Sequence, residues 1–63
     1  MHDEDILRDE FSKILQAKRQ AAEQLTQMLQ QVQDPDLRDS ILQLQARAVR
    51  NVQLSERLVE IVS

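Results

Sequence analysis

The chain has no cysteine and no glycine, and it contains one proline, one histidine and one aromatic residue. Without cysteine it can form neither disulfides nor thiolate metal sites. Without glycine it has no glycine-rich phosphate loop and few of the turn residues that a sheet needs. No Ser-His-Asp set is present, and neighbouring carboxylates such as Asp9 and Glu10 diverge on a helix. These absences predict a protein that is not an enzyme and that carries no cofactor or metal.

Charge and hydropathy narrow the class of partner. A net charge of -3 disfavours general nucleic-acid binding, which depends on neutralising phosphates, and Phe11 alone offers little for bases to stack on. No apolar run approaches the ~20 residues of a membrane span. The acidic start at Asp3, Glu4 and Asp5 is unlike the basic start of a signal peptide. We therefore expect a soluble, cytoplasmic protein that does not contact membranes.

The remaining composition, rich in Gln, Leu, Ala, Glu, Arg and Lys, favours helix throughout. The one break lies at Asp34-Pro35, where Asp34 can cap a helix that has Pro35 at its first position. Because the residue before a proline avoids the helical region, the preceding helix should end near Gln33. The prediction is a single all-α domain, an antiparallel helical hairpin with helices at about 3–33 and 35–62 and a turn at about 33–35. The alternative is one long helix kinked at Pro35.

Each predicted helix carries a seam in which residues alternate in steps of four and three, the heptad pattern of packed helices. The first seam comprises Leu7, Phe11, Ile14, Lys18, Ala21, Leu25, Met28 and Val32. The second comprises Leu37, Ile41, Leu44, Ala48, Asn51, Ser55, Leu58 and Val62. Antiparallel folding with Val32 against Leu37 places Lys18 against Asn51, a polar seam layer that could fix register or contact a ligand or partner.

Further apolar residues flank both predicted seams, and two helices alone cannot cover them. They form the predicted oligomer or partner interface: Leu15, Ala22, Leu29, Leu42, Val49, Val52, Leu54, Val59 and Ile61. The simplest cover is a second copy, which gives a homodimer of hairpins and a four-helix bundle. Another helical protein that supplies the missing helices remains open.

A basic patch lies halfway along the predicted hairpin. Its residues are Lys18, Arg19, Arg47 and Arg50. One interpretation is that the patch docks an acidic partner, an acidic end of a second hairpin, or RNA. The other is a solvated surface with an Arg47–Glu23 pair across the two helices.

Three segments resemble the hairpins of small bacterial ferritin-like proteins: Ala21-Ala22, Val32-Gln33-Asp34-Pro35-Asp36-Leu37-Arg38 and Leu54-Ser55-Glu56-Arg57-Leu58. That resemblance implies a shared scaffold. The diiron sites of the family use a core Glu and a Glu-x-x-His pair, whereas this seam offers Lys18 and the i,i+3 pair Arg47 and Arg50. The resemblance therefore implies the scaffold without its metal.

Lys18-Arg19-Gln20, followed by Asn51-x-x-Leu54-x-x-x-Leu58, is similar to flagellar export chaperones. That resemblance implies an amphipathic client segment held by Leu54, Leu58, Ile61 and Val62. From the residues themselves we expect a non-enzymatic protein–protein interaction or structural module that self-associates through apolar helix faces. A small helical chaperone or secretion adaptor and an RNA-binding hairpin stay open as alternatives.

Overall fold

The computed structural model describes residues 2–62 and the side chains of residues 3–62. It contains helix α1 from His2–Gln31 and helix α2 from Pro35–Val62, which pack against each other. The prediction of an all-α hairpin is confirmed, and the alternative of one long kinked helix is wrong. Helix α1 ends two residues before the predicted end, and the acidic residues Asp3, Glu4 and Asp5 lie in its first turn.

The turn between the helices depends on Asp34 and Arg38. Asp34 Oδ1 accepts hydrogen bonds from the backbone N–H groups of Asp36 (2.8 Å) and Leu37 (3.3 Å), so it caps α2. The Arg38 guanidinium donates to the backbone carbonyls of Leu29 and Val32. These are carbonyls that the end of α1 leaves without helical partners. A side chain thus closes α1, and no residue of the described chain has a positive φ.

The inward residues of both helices follow the heptad pattern, with buried or half-buried side chains in steps of three and four. On α1 they are Arg8, Phe11, Leu15, Lys18, Ala22, Leu25 and Leu29, followed by Val32 just beyond its end. On α2 they are Ile41, Gln45, Ala48, Val52, Ser55, Val59 and Val62, with Glu56 at the margin. Half of the predicted seam on α1 is therefore wrong: Leu7, Ile14, Ala21 and Met28 are exposed.

Two cross-helix contacts fix the register. At the open end, the Arg8 guanidinium donates to the Val62 carbonyl at 3.2 and 3.3 Å. Nearer the turn, Gln45 Nε2 donates to Thr26 Oγ1 at 2.7 Å. Counted from these contacts, the inward residues correspond in order: Leu29 with Ile41, Leu25 with Gln45, Ala22 with Ala48, Lys18 with Val52, Leu15 with Ser55, and Phe11 with Val59.

This register removes the predicted polar layer of Lys18 and Asn51. Lys18 is half-buried at the level of Val52, where its aliphatic stem can fill the seam while its ammonium group reaches water. Asn51 is exposed, one position outside the inward row of α2. The prediction was wrong because it took Val32 and Leu37 as the first facing pair and therefore set Leu7 against Val62, whereas Arg8 bonds Val62, a shift of one residue.

The core of the hairpin is thin. Among the described residues only Leu15 (8% exposed), Ile41 (7%) and Ser55 (5%) are buried. The molecule is 51 Å long, and its radius of gyration is 14.8 Å, against roughly 11 Å for a compact chain of this length. Two helices side by side cannot enclose a core, so each keeps an apolar surface in water.

Candidate interaction surface

The hairpin has two broad faces, one on each side of the inward rows. One face carries polar bonds between the helices: Arg19 Nη2 lies 2.9 Å from Glu56 Oε2, and Gln45 bonds Thr26. Arg19 and Thr26 are seven residues apart and therefore lie in one row along α1. We call this side the bridged face; it also carries the exposed side chains of Leu42 and Val49, in the same row of α2 as Glu56.

The opposite side is predominantly apolar. On α1, the row Leu7, Ile14, Ala21, Met28 lies across the inward residues from Arg19. On α2, the row Leu37, Leu44, Asn51, Leu58 lies across the inward residues from Glu56. Since Arg19 bonds Glu56 on the bridged face, these two rows must share the other face. We call it the apolar face, and it consists of Leu7, Ile14, Ala21, Met28, Leu37, Leu44, Asn51 and Leu58, all exposed.

The apolar face is not the interface predicted from the sequence. Five of the predicted interface residues lie on the inward side, within the chain's own helix contact. They are Leu15, Ala22, Leu29, Val52 and Val59. Their assignment to an outer flank is wrong, because each predicted seam shares only one of its two rows with the residues that face the other helix.

The other predicted interface residues are exposed but do not share one surface. Leu42 and Val49 lie on the bridged face, while Leu54 and Ile61 lie beyond the margin of the apolar face on α2. Ile61 is the most exposed large apolar side chain of those described, at 72%. An interface role for these four residues stays a prediction.

Six large residues of the apolar face were assigned to the seam and missed as a surface: Leu7, Ile14, Met28, Leu37, Leu44 and Leu58. The positions of the charged residues Arg19 and Glu56 in the sequence could have identified this surface. Arg19 and Glu56 can bridge the helices only if their rows lie next to the inward residues. That condition selects Leu15 and Ala22, rather than Ile14 and Ala21, as the residues that face α2.

The structure divides the predicted basic patch. Arg19 is neutralised by Glu56 on the bridged face, and Lys18 is half-buried between the helices. Arg47 and Arg50 are exposed and line a shallow depression with Ala46 on the outer side of α2. Among the described residues, no salt bridge joins Arg47 to Glu23. The four cations therefore do not form one continuous surface.

The described residues form neither a metal-binding cluster nor a membrane-spanning segment. Over residues 2–62, no group of three or more histidine and carboxylate side chains is arranged to hold a metal ion. Neither helix, over the same residues, includes a segment long and apolar enough to cross a membrane. The largest chemical feature left is the apolar face.

Comparisons with models of known protein families, with curated proteins and with solved structures find no match to this chain. The resemblances to ferritin-like hairpins and to flagellar export chaperones therefore stay expectations.

Proposed function

We propose that this chain is a non-enzymatic protein–protein interaction module whose apolar face docks against a second copy to form a four-helix bundle. One observation carries the proposal. Six large apolar side chains stand exposed in two straight rows on a single face of the hairpin. Rows with heptad spacing are the pattern by which helices pack in bundles.

The surface area of the chain supports a partner on this face. The hairpin exposes 5200 Å², whereas a compact monomer of 7.4 kDa exposes roughly 4200 Å². The excess of about 1000 Å² is close to the ~800 Å² that each partner contributes to a standard interface. One hairpin thus exposes about one interface more than a compact chain of its mass.

The energy balance favours association only if it is coupled to folding. Each of the six side chains is about half exposed, so covering it gains ~1 kcal/mol, or on the order of 12 kcal/mol per dimer. Association of two folded bodies costs an estimated ~4–15 kcal/mol. Since only two apolar residues among those the structure describes are buried in one hairpin, we expect folding and dimerisation to occur together. The thermal midpoint should then rise with protein concentration.

The experiment compares two matched substitutions by sedimentation equilibrium. Leu44→Glu changes the apolar face, and Leu42→Glu changes the bridged face of the same helix at nearly equal exposure, 49% and 45%. Each dimer would bury two copies of a charge at position 44. We expect Leu44→Glu to weaken association at least ~100-fold and Leu42→Glu to leave it nearly unchanged.

Two results would contradict the proposal. One is a wild-type chain that is folded and strictly monomeric at tens of micromolar. The other is an equal loss of association in Leu44→Glu and Leu42→Glu. Circular dichroism on the same samples distinguishes a folded monomer from an unfolded one, and a dissociated, unfolded Leu44→Glu variant would support coupled folding.

A second candidate function is supported by Leu54 and Ile61. These residues lie outside the apolar face and are 51% and 72% exposed in the hairpin. They could hold an amphipathic client segment, as a small chaperone or secretion adaptor does. In that case Leu54→Ser with Ile61→Ser would abolish a client-dependent rise in the thermal midpoint while leaving the dimer mass unchanged. Loss of the dimer itself in this variant would contradict a separate client surface.

A further inference from the structure

The apolar row of α1 is complementary to itself when it is turned end for end. Its four residues, Leu7, Ile14, Ala21 and Met28, are spaced by seven, or ~10.5 Å along the helix. Reversal sets Leu7 against Met28 of a second copy and Ile14 against Ala21. The small side chain then receives the β-branched one, and the two long side chains meet at the ends. Large residues opposite small ones are what close packing between layers requires.

The row of α2 has the same property about a different centre. Reversal sets Leu44 against Leu58 of a second copy and places Asn51 against itself. The centre of the α1 row lies midway between Ile14 and Ala21. In the register in which Lys18 faces Val52, that centre and Asn51 lie within ~2 Å of the same height. A single two-fold axis therefore matches both rows at once.

We infer that the second copy docks antiparallel to the first, with the two-fold axis crossing the middle of the hairpin at right angles to the helices and pairing Asn51 with Asn51 of the other copy. This inference rests on the proposed function, since it specifies how the same face is occupied. The two turns then lie at opposite ends of the four-helix bundle, and α1 packs on α1 and α2 on α2.

The other two-fold arrangement, with both turns at one end, fits less well. It lays the α1 row of one copy on the α2 row of the other, with facing residues displaced by ~3 Å. Leu7 and Leu37 then have no counterpart, and Asn51 faces Ala21, which cannot pair with an amide. In the antiparallel arrangement, Leu37 alone of the eight residues has no counterpart.

Charge favours the same choice. The open end, residues 3–13 and 56–60, carries seven acidic and three basic side chains, whereas the turn, residues 34–39, carries three acidic and one basic. Turns at one end would set the two strongly acidic open ends side by side. The antiparallel arrangement sets each open end beside the weaker charge of a turn, which lowers the repulsion.

Asn51 selects the register and orientation of the two copies in this arrangement. It is the one polar side chain in the two rows, and an amide carries both donors and an acceptor, so two copies on the axis can pair reciprocally. If the two copies were shifted along the helices, or arranged with both turns at one end, each amide would be buried against apolar groups without a partner. A single polar residue in a packed seam is known to select register and orientation in this way.

The test uses disulfide formation, because the chain has no cysteine of its own. On oxidation, Asn51→Cys should form a covalent dimer, since the axis brings the two Cα atoms near the range of about 4.4–6.8 Å that a disulfide needs. Leu44→Cys alone should not, because its copies are ~20 Å apart. Mixed Leu44→Cys and Leu58→Cys chains, refolded together, should cross-link as the heterodimer.

The arrangement with both turns at one end predicts a different set of products, namely cross-linking of mixed Ala21→Cys and Asn51→Cys chains and none of Asn51→Cys alone. Sedimentation of the reduced samples separates the two proposals. A dimer in which the Leu44→Cys with Leu58→Cys mixture, which keeps Asn51, does not cross-link overturns the orientation and leaves the proposed function standing, whereas a monomer overturns both. Efficient cross-linking of Asn51→Cys and of the Leu44→Cys with Leu58→Cys mixture, without cross-linking of Leu44→Cys alone, is the result we expect.

Discussion

The two faces of the hairpin differ in whether their side chains bond across the two helices. On the bridged face, polar side chains of α1 and α2 bond each other within one chain, through Arg19 with Glu56 and Thr26 with Gln45. On the apolar face, the row that includes Ile14 on α1 and the row that includes Leu44 on α2 are exposed to water. The difference teaches that the bridged face is held by bonds within one chain, beside the exposed Leu42 and Val49, whereas large apolar side chains of both helices stay exposed on the apolar face.

The largest effect should come from the layer between the two faces. Leu15 is 8% exposed and lies inward, so Leu15→Ala should lower the free energy of unfolding by ~2–4 kcal/mol through lost packing and a cavity. Its neighbour Ile14 lies on the apolar face and is 46% exposed in the single hairpin, so Ile14→Ala should cost less, through packing that only the dimer provides. Urea denaturation at one protein concentration measures both. Equal losses at the two positions would contradict the assignment of faces.

The next effect concerns Asn51. Asn51→Leu should leave association as tight as in the wild type or tighten it, by up to about tenfold, because an apolar residue gains more from burial than a paired amide. It should also relax the orientation. Spin labels at Gln33→Cys in the turn should give one long distance in the wild-type background, approaching the 51 Å length of the hairpin. In the Asn51→Leu background a second distance near ~20 Å should appear; a single unchanged distance would show that Asn51 does not select the orientation.

A smaller effect is expected at the turn, which belongs to neither face. Asp34→Ala removes the oxygen that accepts from the N–H groups of Asp36 and Leu37, and it should cost ~1 kcal/mol of folding free energy. Asp39→Ala, an acidic residue one turn further along α2, is the matched control and should cost less. Thermal denaturation followed by circular dichroism measures both. An Asp39→Ala loss as large as that of Asp34→Ala would show that the charge, and not the cap, stabilises the turn.

The smallest effect should appear on the bridged face. The side chains of Arg19 and Glu56 are 55% and 44% exposed, and a solvent-exposed pair contributes ~0.2–1 kcal/mol that salt screens. A double-mutant cycle with Arg19→Ala and Glu56→Ala should give a coupling energy in that range at low salt and close to zero at 1 M salt. Dimer mass should stay unchanged in all three variants. Dissociation of the dimer by either substitution would show that the interface includes the bridged face.

The elements that depend on local chemistry could be predicted from the sequence. Asp34-Pro35 stops one helix and starts the next, because an Asp cap and a proline at the first helical position act on their immediate neighbours. The absence of glycine and the helical composition sufficed for the all-α hairpin.

The phase of the seam could not be predicted from periodicity. On α1, apolar residues fill three neighbouring rows, which contain Ile14, Leu25 and Leu15, and any two adjacent rows satisfy the heptad pattern. The choice is made by contacts across the helices that no local pattern contains, among them the bonds of Arg19 and Arg8 to α2. Because the predicted seam was shifted by one row, some inward residues were assigned to the outer surface and some exposed residues to the seam. The apolar face consists of residues that the prediction assigned to the seam.

The central claim is that the apolar face is covered by a second copy in solution, and the methyl groups of Leu44 and Leu42 test it without altering the chain. In the single hairpin these two side chains are almost equally exposed, at 49% and 45%. With a soluble paramagnetic agent, nuclear magnetic resonance should show Leu44 methyls protected and Leu42 methyls strongly relaxed, with the protection of Leu44 lost on dilution. Equal relaxation of the two leucines at every concentration would contradict the account.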